Sequence, residues 1–261
     1  HQAKGAVPEG HPLSLGSDYS GHGPAFHAVP QADVVLAVGS RLFFPRKLPW
    51  AFQRHQDLVQ IDIDPSEVGR NWPLSVGIVA DAKVALRAIL SELGGEKAAR
   101  WPPADVAAIR DLVKASCRRH APLQVEIVQA LRRELAEDTI VVAGITNVAY
   151  WANLTFPVLK PRTWVTSSYA ASLGYELPTA IGASIGNPGR QVVALCGDGG
   201  FMYGVSELAT AVQEGANVVA IVFNDSAFGA SLYEQMTRLH GRVLGTRLRN
   251  PDFAALARAF G

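Results

Sequence analysis

The sequence predicts an α/β protein made of two doubly wound parallel-sheet domains, and three observations predict it. Short β-branched runs such as "ADVVLAVG" (32–39) and "LVQIDID" (58–64) end in glycine or aspartate, as strands buried in parallel sheets do. These runs alternate with stretches of helical period, a pattern that yields a parallel sheet with helices on both faces. The chain has 261 residues, 48% hydrophobic and 18% charged, which suffices for one large or two ordinary domains.

Each element follows from its own stretch. After the first two strands, "DAKVALRAILSEL" (81–93) puts Val84, Ala85, Ala88 and Ile89 on one helical face, with Gly94 and Gly95 as a stop. From Gly94 to about Leu123 the composition shifts to paired prolines and a basic cluster, the mark of a linker containing one exposed helix. The second part alternates more clearly: helix Val125–Leu135, strand Ile140–Ala143, helix Leu177–Ile185, strand Val192–Leu195, helix Val205–Gln213 and strand Val218–Phe223. The resulting domains are 1–95, incomplete at its start, a linker over 96–122, and 123–261, incomplete at its end. The opening histidine and the abrupt close "ARAFG" read as a fragment of a longer chain.

Composition narrows the partners. A net charge of +1 gives no long-range attraction to nucleic acid or to an anionic membrane, so neither is expected. Cys117 and Cys196 are too isolated for a disulfide framework or a zinc site. No apolar run approaches the roughly 18–20 residues of a membrane span, and the first residues lack a secretion signal. The cytoplasm is the default compartment.

In an open parallel sheet, ligands bind beyond the carboxyl ends of the strands. That rule points to Gly144–Asn147, Gly197–Gly200 and Asn224–Gly229. Within the last two stretches, Asp198 of "GDGG" and Asp225 of "NDSAFG" stand 27 positions apart, separated by a helix and a strand. If the strands are neighbours, the carboxylates converge at one sheet edge. Hard oxygen ligands of this kind suit Mg²⁺ or Ca²⁺, and Mg²⁺ commonly takes one or two carboxylates and leaves its other positions to phosphate and water. A helix starting near Val205 adds backbone N–H groups that favour an anion. Taken singly, each piece has a plainer reading: Gly-Asp-Gly and Asn-Asp followed by glycine also occur in ordinary turns.

The stretch "GDGGFMYGVSELATAVQEGANVVAIVFNDSAFG" resembles the thiamine diphosphate-binding motif. The wider "SLGYELPTAIGASIGNPGRQVVALCGDGGF" and "NPDFAALARAFG" resemble the diphosphate-binding domain of the acetolactate synthase and benzoylformate decarboxylase group. "AKGAVPEGHPLSLG", "ADVVLAVGSRL" and "IDIDPSEVGRN" resemble the central domain of the same enzymes. The resemblance implies a thiamine diphosphate- and Mg²⁺-dependent decarboxylase or carboligase acting on a small-molecule 2-oxo acid. It implies Mg²⁺ on Asp198, the side chain of Asp225 and the backbone carbonyl of Ala227. Gly197, Gly199, Gly200, Phe228 and Gly229 belong to the same cofactor-binding turns. Asn147 falls at a phosphate-contacting position. The backbone at Ala171 and Leu173 would hold the aminopyrimidine, with Ser172 between them and Leu173 wedged beneath the two rings. Two departures stand out: Asp225 is an asparagine in many members, and Gly200 replaces a frequent serine, removing a hydroxyl donor to phosphate.

The glutamate that activates the cofactor in these enzymes lies in an N-terminal pyrimidine-binding domain, usually on a partner subunit, so no catalytic residue is assigned within this chain and the chain alone is expected to be nearly inactive. The resemblance further implies a homodimer or homotetramer with its active site at the subunit interface. Two alternatives stay open: a module holding FAD or ADP at strand ends such as "GSR" (39–41), and an assembly subunit that has lost catalysis. Other notable residues have structural readings. Glu207 favours its helix dipole, Cys196 is packing, "CRRH" (117–120) is a solvated helix end, and His11, His22 and His27 are surface or inter-domain residues. Glu176 begins a helix beside the predicted wedge, with a place in the pocket as one reading and a helix start as the other.

Overall fold

The computed structural model describes residues 2–19, 21–42, 52, 55–95, 101–167 and 170–261. It divides into two compact units, one within residues 20–110 and the other formed by residues within 1–19 together with 111–261. Both sheets are parallel throughout, which establishes the α/β class with two parallel-sheet domains.

In the first unit a short helix α1 (Ala25–Ala28) precedes strand β1 (Val34–Val38), then β2 (Asp57–Asp62) and β3 (Val76–Val79), paired in the order β1-β2-β3. Ala37, Leu42 and Leu58 form the core with Val35, Phe52, Trp72 and Leu74 packed against them. Gln60, 2% exposed, pins the loop after β2: it donates to Ser40 O (3.0 Å) and Glu67 O (3.1 Å) and accepts from Gly69 N (2.8 Å). Helix α2 (Ala82–Glu92) is capped by Asp81, which accepts from the N–H groups of Lys83 and Val84. Its covered face is Ala82, Ala85, Leu86 and Ile89, one position round from the face that the sequence predicts; Val84 is 63% exposed. The observed set follows the i, i+3, i+4, i+7 spacing and the predicted one i, i+1, i+4, i+5, both of which lie on one helical face, so the apolar pattern alone leaves the rotation undetermined.

Helix α3 (Pro103–His120) lies in the stretch read as a linker, and it is not an exposed helix: Val106, Ile109, Val113 and Cys117 are buried. Their spacing makes one continuous stripe. Val113 and Cys117 pack with Val125 of helix α4 (Pro122–Glu134), while Arg118, Arg119 and His120 stay exposed at the helix end.

The second unit is built on strands β4 (Ile140–Ala143), β5 (Trp164–Thr166), β6 (Val192–Gly197) and β7 (Val218–Phe223), in the order β5-β4-β6-β7. Side chains alternate between faces. Val141, Ala143, Val193 and Leu195 pack against α4 and α5 (Asn147–Thr155), whereas Ile140, Val142, Val192, Ala194 and Cys196 pack against α6 (Glu176–Gly186), α7 (Asp198–Gly204) and α8 (Glu207–Gln213). The chain leaves β4 toward β5 on one side and returns to β6 on the other. The strand order therefore reverses between β4 and β6, which opens a crevice at their carboxyl ends. Helices α9 (Gly229–Thr237) and α10 (Phe253–Phe260) complete the unit, with Asp252 capping α10.

Residues 2–19 belong to this second unit. Lys4 Nζ lies 2.8 Å from both oxygens of Glu9 and sits over the Trp164 ring, and Glu9 Oε2 accepts from Val158 N. Ser17 Oγ donates to Asn153 O, and Tyr19 stacks on Tyr150. Burial pushes the Lys4 amine below its ordinary pKa, against the opposing pull of Glu9.

Candidate cofactor site

The three loops that the sequence points to all sit at carboxyl ends of neighbouring strands: 144–147 after β4, 197–200 at the end of β6, and 224–229 after β7. The first two meet directly across the point where the strand order reverses, since a Cβ on Gly197 would lie 3.3 Å from Thr146 Cβ. Asn147 opens α5 and is exposed; the preceding Thr146 makes no side-chain cap, so the first-turn N–H groups of α5 have no such partner.

The helix beyond β6 begins earlier than the sequence predicts. Strand β6 runs two residues further, to Gly197, and α7 starts at Asp198 itself; the helix expected near Val205 is α8, which starts at Glu207. Glycines 199 and 200 have low intrinsic helix propensity, and packing overrides it: Gly199, Gly200 and Phe201 are buried. The helix end nearest the strand is therefore the "GDGG" turn itself. Gly199 has to be glycine, because a Cβ there would lie 2.4 Å from Phe228 Cε1.

Asp198 is 2% exposed. Asn250 Nδ2 donates to its Oδ2 at 2.6 Å and to Asn224 Oδ1 at 2.8 Å, tying the end of β6 to the loop after β7. That loop is braced from behind: Phe228 N donates to Thr246 O, Leu248 N donates to Ser226 O, and Ala227 bridges Arg247. Asp225 lies on the exposed side of the loop and Ala227 is buried, with Phe228 and Gly229 half-buried. Burial and then the neighbouring charge of Asp198 push the Asp225 carboxyl above its usual pKa. The two carboxylates thus converge as the spacing predicts, and their mutual repulsion is what a bound cation relieves. No group of three or more His, Cys, Asp or Glu poised for a metal occurs among the described residues. A pair of carboxylates nevertheless matches a Mg²⁺ ion that keeps phosphate and water as its other ligands.

The stretch 171–174 adjoins the same turn. Ala171, Ser172 and Leu173 are exposed, Ala171 has a positive φ of 45°, and Leu173 is 39% exposed and so is not a core leucine. The next residue, Gly174, packs on α7, where a Cβ would lie 3.1 Å from Gly200 O. Glu176 follows as the first residue of α6 and is 1% exposed. The raised pKa of its carboxyl comes from burial, with the backbone N–H groups of Glu176 and Gly174 pulling the other way. Cys196 is fully buried in the core under the turn, as read, and Glu207 stands in the first turn of α8. Asn250 is a site residue that local sequence reasoning does not find: it opens the stretch "NPDFAALARAFG", but nothing in that stretch gives its side chain a role.

Two family models match the chain: the thiamine pyrophosphate enzyme central domain over residues 1–89 and the thiamine pyrophosphate enzyme C-terminal binding domain over residues 144–261. The chain belongs to the thiamine pyrophosphate enzyme family. It is 36% identical over 267 residues to a probable 2-ketoarginine decarboxylase of Pseudomonas aeruginosa, 99% of this chain and 46% of that protein. It is 31% identical to the acetolactate synthase large subunit of Corynebacterium glutamicum, over 99% of this chain and 44% of that protein. Pyruvate oxidase of Lactiplantibacillus plantarum is 30% identical, over 98% and 43%. The chain thus spans less than half the length of these relatives. No helix among the described residues is long and apolar enough to cross a membrane.

Proposed function

We propose that this chain is the cofactor-holding part of a thiamine diphosphate- and Mg²⁺-dependent decarboxylase or carboligase acting on a 2-oxo acid. The observation that carries the reading is the convergence of Asp198 and Asp225 at the ends of adjacent strands, beside the short helix that starts in the "GDGG" turn. Asp198, Asp225 and the Ala227 carbonyl hold the metal. The turn Gly197–Gly200 takes the diphosphate through backbone N–H groups, with Asn147 across the crevice. Phe228 and Gly229 fix the loop, and Leu173 supports the rings while the backbone of Ala171–Leu173 meets the aminopyrimidine. The 2-ketoarginine decarboxylase and acetolactate synthase among the relatives support a 2-oxo acid as substrate.

When bound, thiamine diphosphate supplies the electron sink that lets a 2-oxo acid lose CO₂. The chain's own residues contribute position and charge. None of them is assigned an acid–base role, so the chain by itself is expected to bind the cofactor and turn over little. Assembly of the parent protein as a cytoplasmic homodimer or homotetramer, with the site at a subunit interface, belongs to the same proposal.

Calorimetric titration of the chain with thiamine diphosphate, with and without Mg²⁺, tests the reading. Metal-dependent binding that Asp198→Ala abolishes is the expected result. Binding of FAD or ADP in place of thiamine diphosphate overturns it in favour of a nucleotide module, and binding of none of them in favour of an assembly subunit.

A further inference from the structure

Glu176 is a charged-type side chain buried where nothing in the fold requires one. Both carboxyl oxygens are out of contact with solvent, and neither accepts a well-formed hydrogen bond among the described residues. The group is wedged between two strand-end loops: a Cβ on Gly200 would lie 2.7 Å from its Oε1, and a Cβ on Gly144 would lie 3.0 Å from its Cδ. Any side chain at position 200 therefore competes with this carboxyl for the same space. An ionised carboxylate at such a position costs several kcal/mol unless it is paired. A group so placed lowers that cost by holding a proton, and burial raises the Glu176 pKa in that direction. A neutral carboxyl is also a donor. Neither oxygen has a hydrogen-bond partner among the described residues, and an unmet buried polar group points to a partner that arrives from outside.

The acceptor is identified by what surrounds the group. The Gly174 and Glu176 N–H groups lie near the carboxyl, and Oε1 lies against Gly200 in the first turn of α7. The titratable groups facing it are Tyr175, whose hydroxyl donates to Ala143 O, and Cys196 on β6; the loop 144–146 carries none. Burial pushes Tyr175 and Cys196 upward, so both stay neutral and supply no cation that would favour an ionised Glu176. We propose that Glu176 is a positioning residue of the cofactor site, a neutral carboxyl wedged between Gly144 and Gly200 that donates a hydrogen bond to a diphosphate oxygen held at the 197–200 turn. The inference rests on the reading of that turn as the diphosphate site.

The test compares Glu176→Gln, which keeps shape and a donor, with Glu176→Met, which keeps volume and has none. Both are titrated with thiamine diphosphate and with inorganic pyrophosphate in the presence of Mg²⁺. Glu176→Gln is expected to bind both probes within about threefold of the parent chain. Glu176→Met is expected to lose about tenfold or more for both, the scale of a hydrogen bond to a charged group. The unloaded protein gives a second readout: Glu176→Met should melt a few degrees higher, because an unsatisfied buried polar group has been replaced by an apolar one. Three results overturn the inference: equal affinities for the two variants, a loss confined to thiamine diphosphate with pyrophosphate unaffected, or a lower melting temperature for Glu176→Met. If the parent chain itself binds neither probe, or Asp198→Ala leaves binding unchanged, it is the reading of the turn that fails.

Discussion

One methyl group at position 199 should disable the proposed metal site without touching either of its carboxylates. The Cβ of Gly199→Ala would fall 2.4 Å from Phe228 Cε1, 2.8 Å from Phe228 Cδ1 and 3.1 Å from Leu248 Cδ1. Carbon atoms in contact sit at about 3.5–4.0 Å, so the Phe228 ring must retreat by roughly 1 Å. It cannot swing away freely, because it stacks on Tyr203 and its own N–H is tied to Thr246 O at 2.9 Å. The displacement therefore passes to the loop 224–229, and Asp225 moves relative to Asp198. Overpacking of this kind costs about 1–3 kcal/mol, which at about 2–4 °C per kcal/mol lowers the melting temperature by roughly 2–12 °C. Circular dichroism melts measure that loss, and calorimetry should show Mg²⁺-dependent thiamine diphosphate binding weakened by more than the stability loss alone accounts for. A double variant with Phe228→Leu should recover part of both effects. A Gly199→Ala protein that melts within about 1 °C of the parent and binds equally well would refute the steric argument.

Two further outcomes can be measured on the same material. Glu9→Gln leaves Lys4, whose side chain is wholly buried, without its counter-charge; loss of one partner from such a pair costs about 3–5 kcal/mol, readable as a lowered urea midpoint, and an unchanged midpoint would show the pair to be dispensable. The second outcome concerns pH. Glu176 has a folded pKa above its ordinary value of 4.5, so the stability it permits is full below that value and is lost as pH rises through the folded pKa. Melting temperatures should therefore fall more steeply with rising pH in the parent chain than in Glu176→Gln, and coincident profiles would contradict the assignment of a neutral carboxyl.

Much of the second sheet was legible because its strands are apolar runs closed by glycine or asparagine. Ile140–Ala143 and Val218–Phe223 stand where the pattern puts them. The elements that escaped are short or carry conflicting local signals. Trp164–Thr166 has three residues and Val76–Val79 four, too few for an alternation to emerge. The segment "NVAYWANLT" is helical although its aromatic and β-branched residues weaken helix preference, and the buried Val148, Ala149 and Ala152 hold it against the sheet. At the site, the Asp198–Asp225 pairing could be read because strand, helix and strand fix where two loop residues emerge. Asn250 could not, since its partner Asp198 lies 52 positions away and only the tertiary fold brings them together.

The attachment of residues 2–19 to the second unit gives the chain a nested order: the unit within 20–110 is an insertion between two parts of one structural body. Both of its covalent connections run to that same body. A truncation starting at residue 123 would look like a clean excision of the cofactor-binding half, yet it would strip away Lys4 and Glu9 and uncover Val158 and the face of Trp164. Faithful isolation of that half calls for removing the insertion and joining its two flanks, so that the opening segment stays in place.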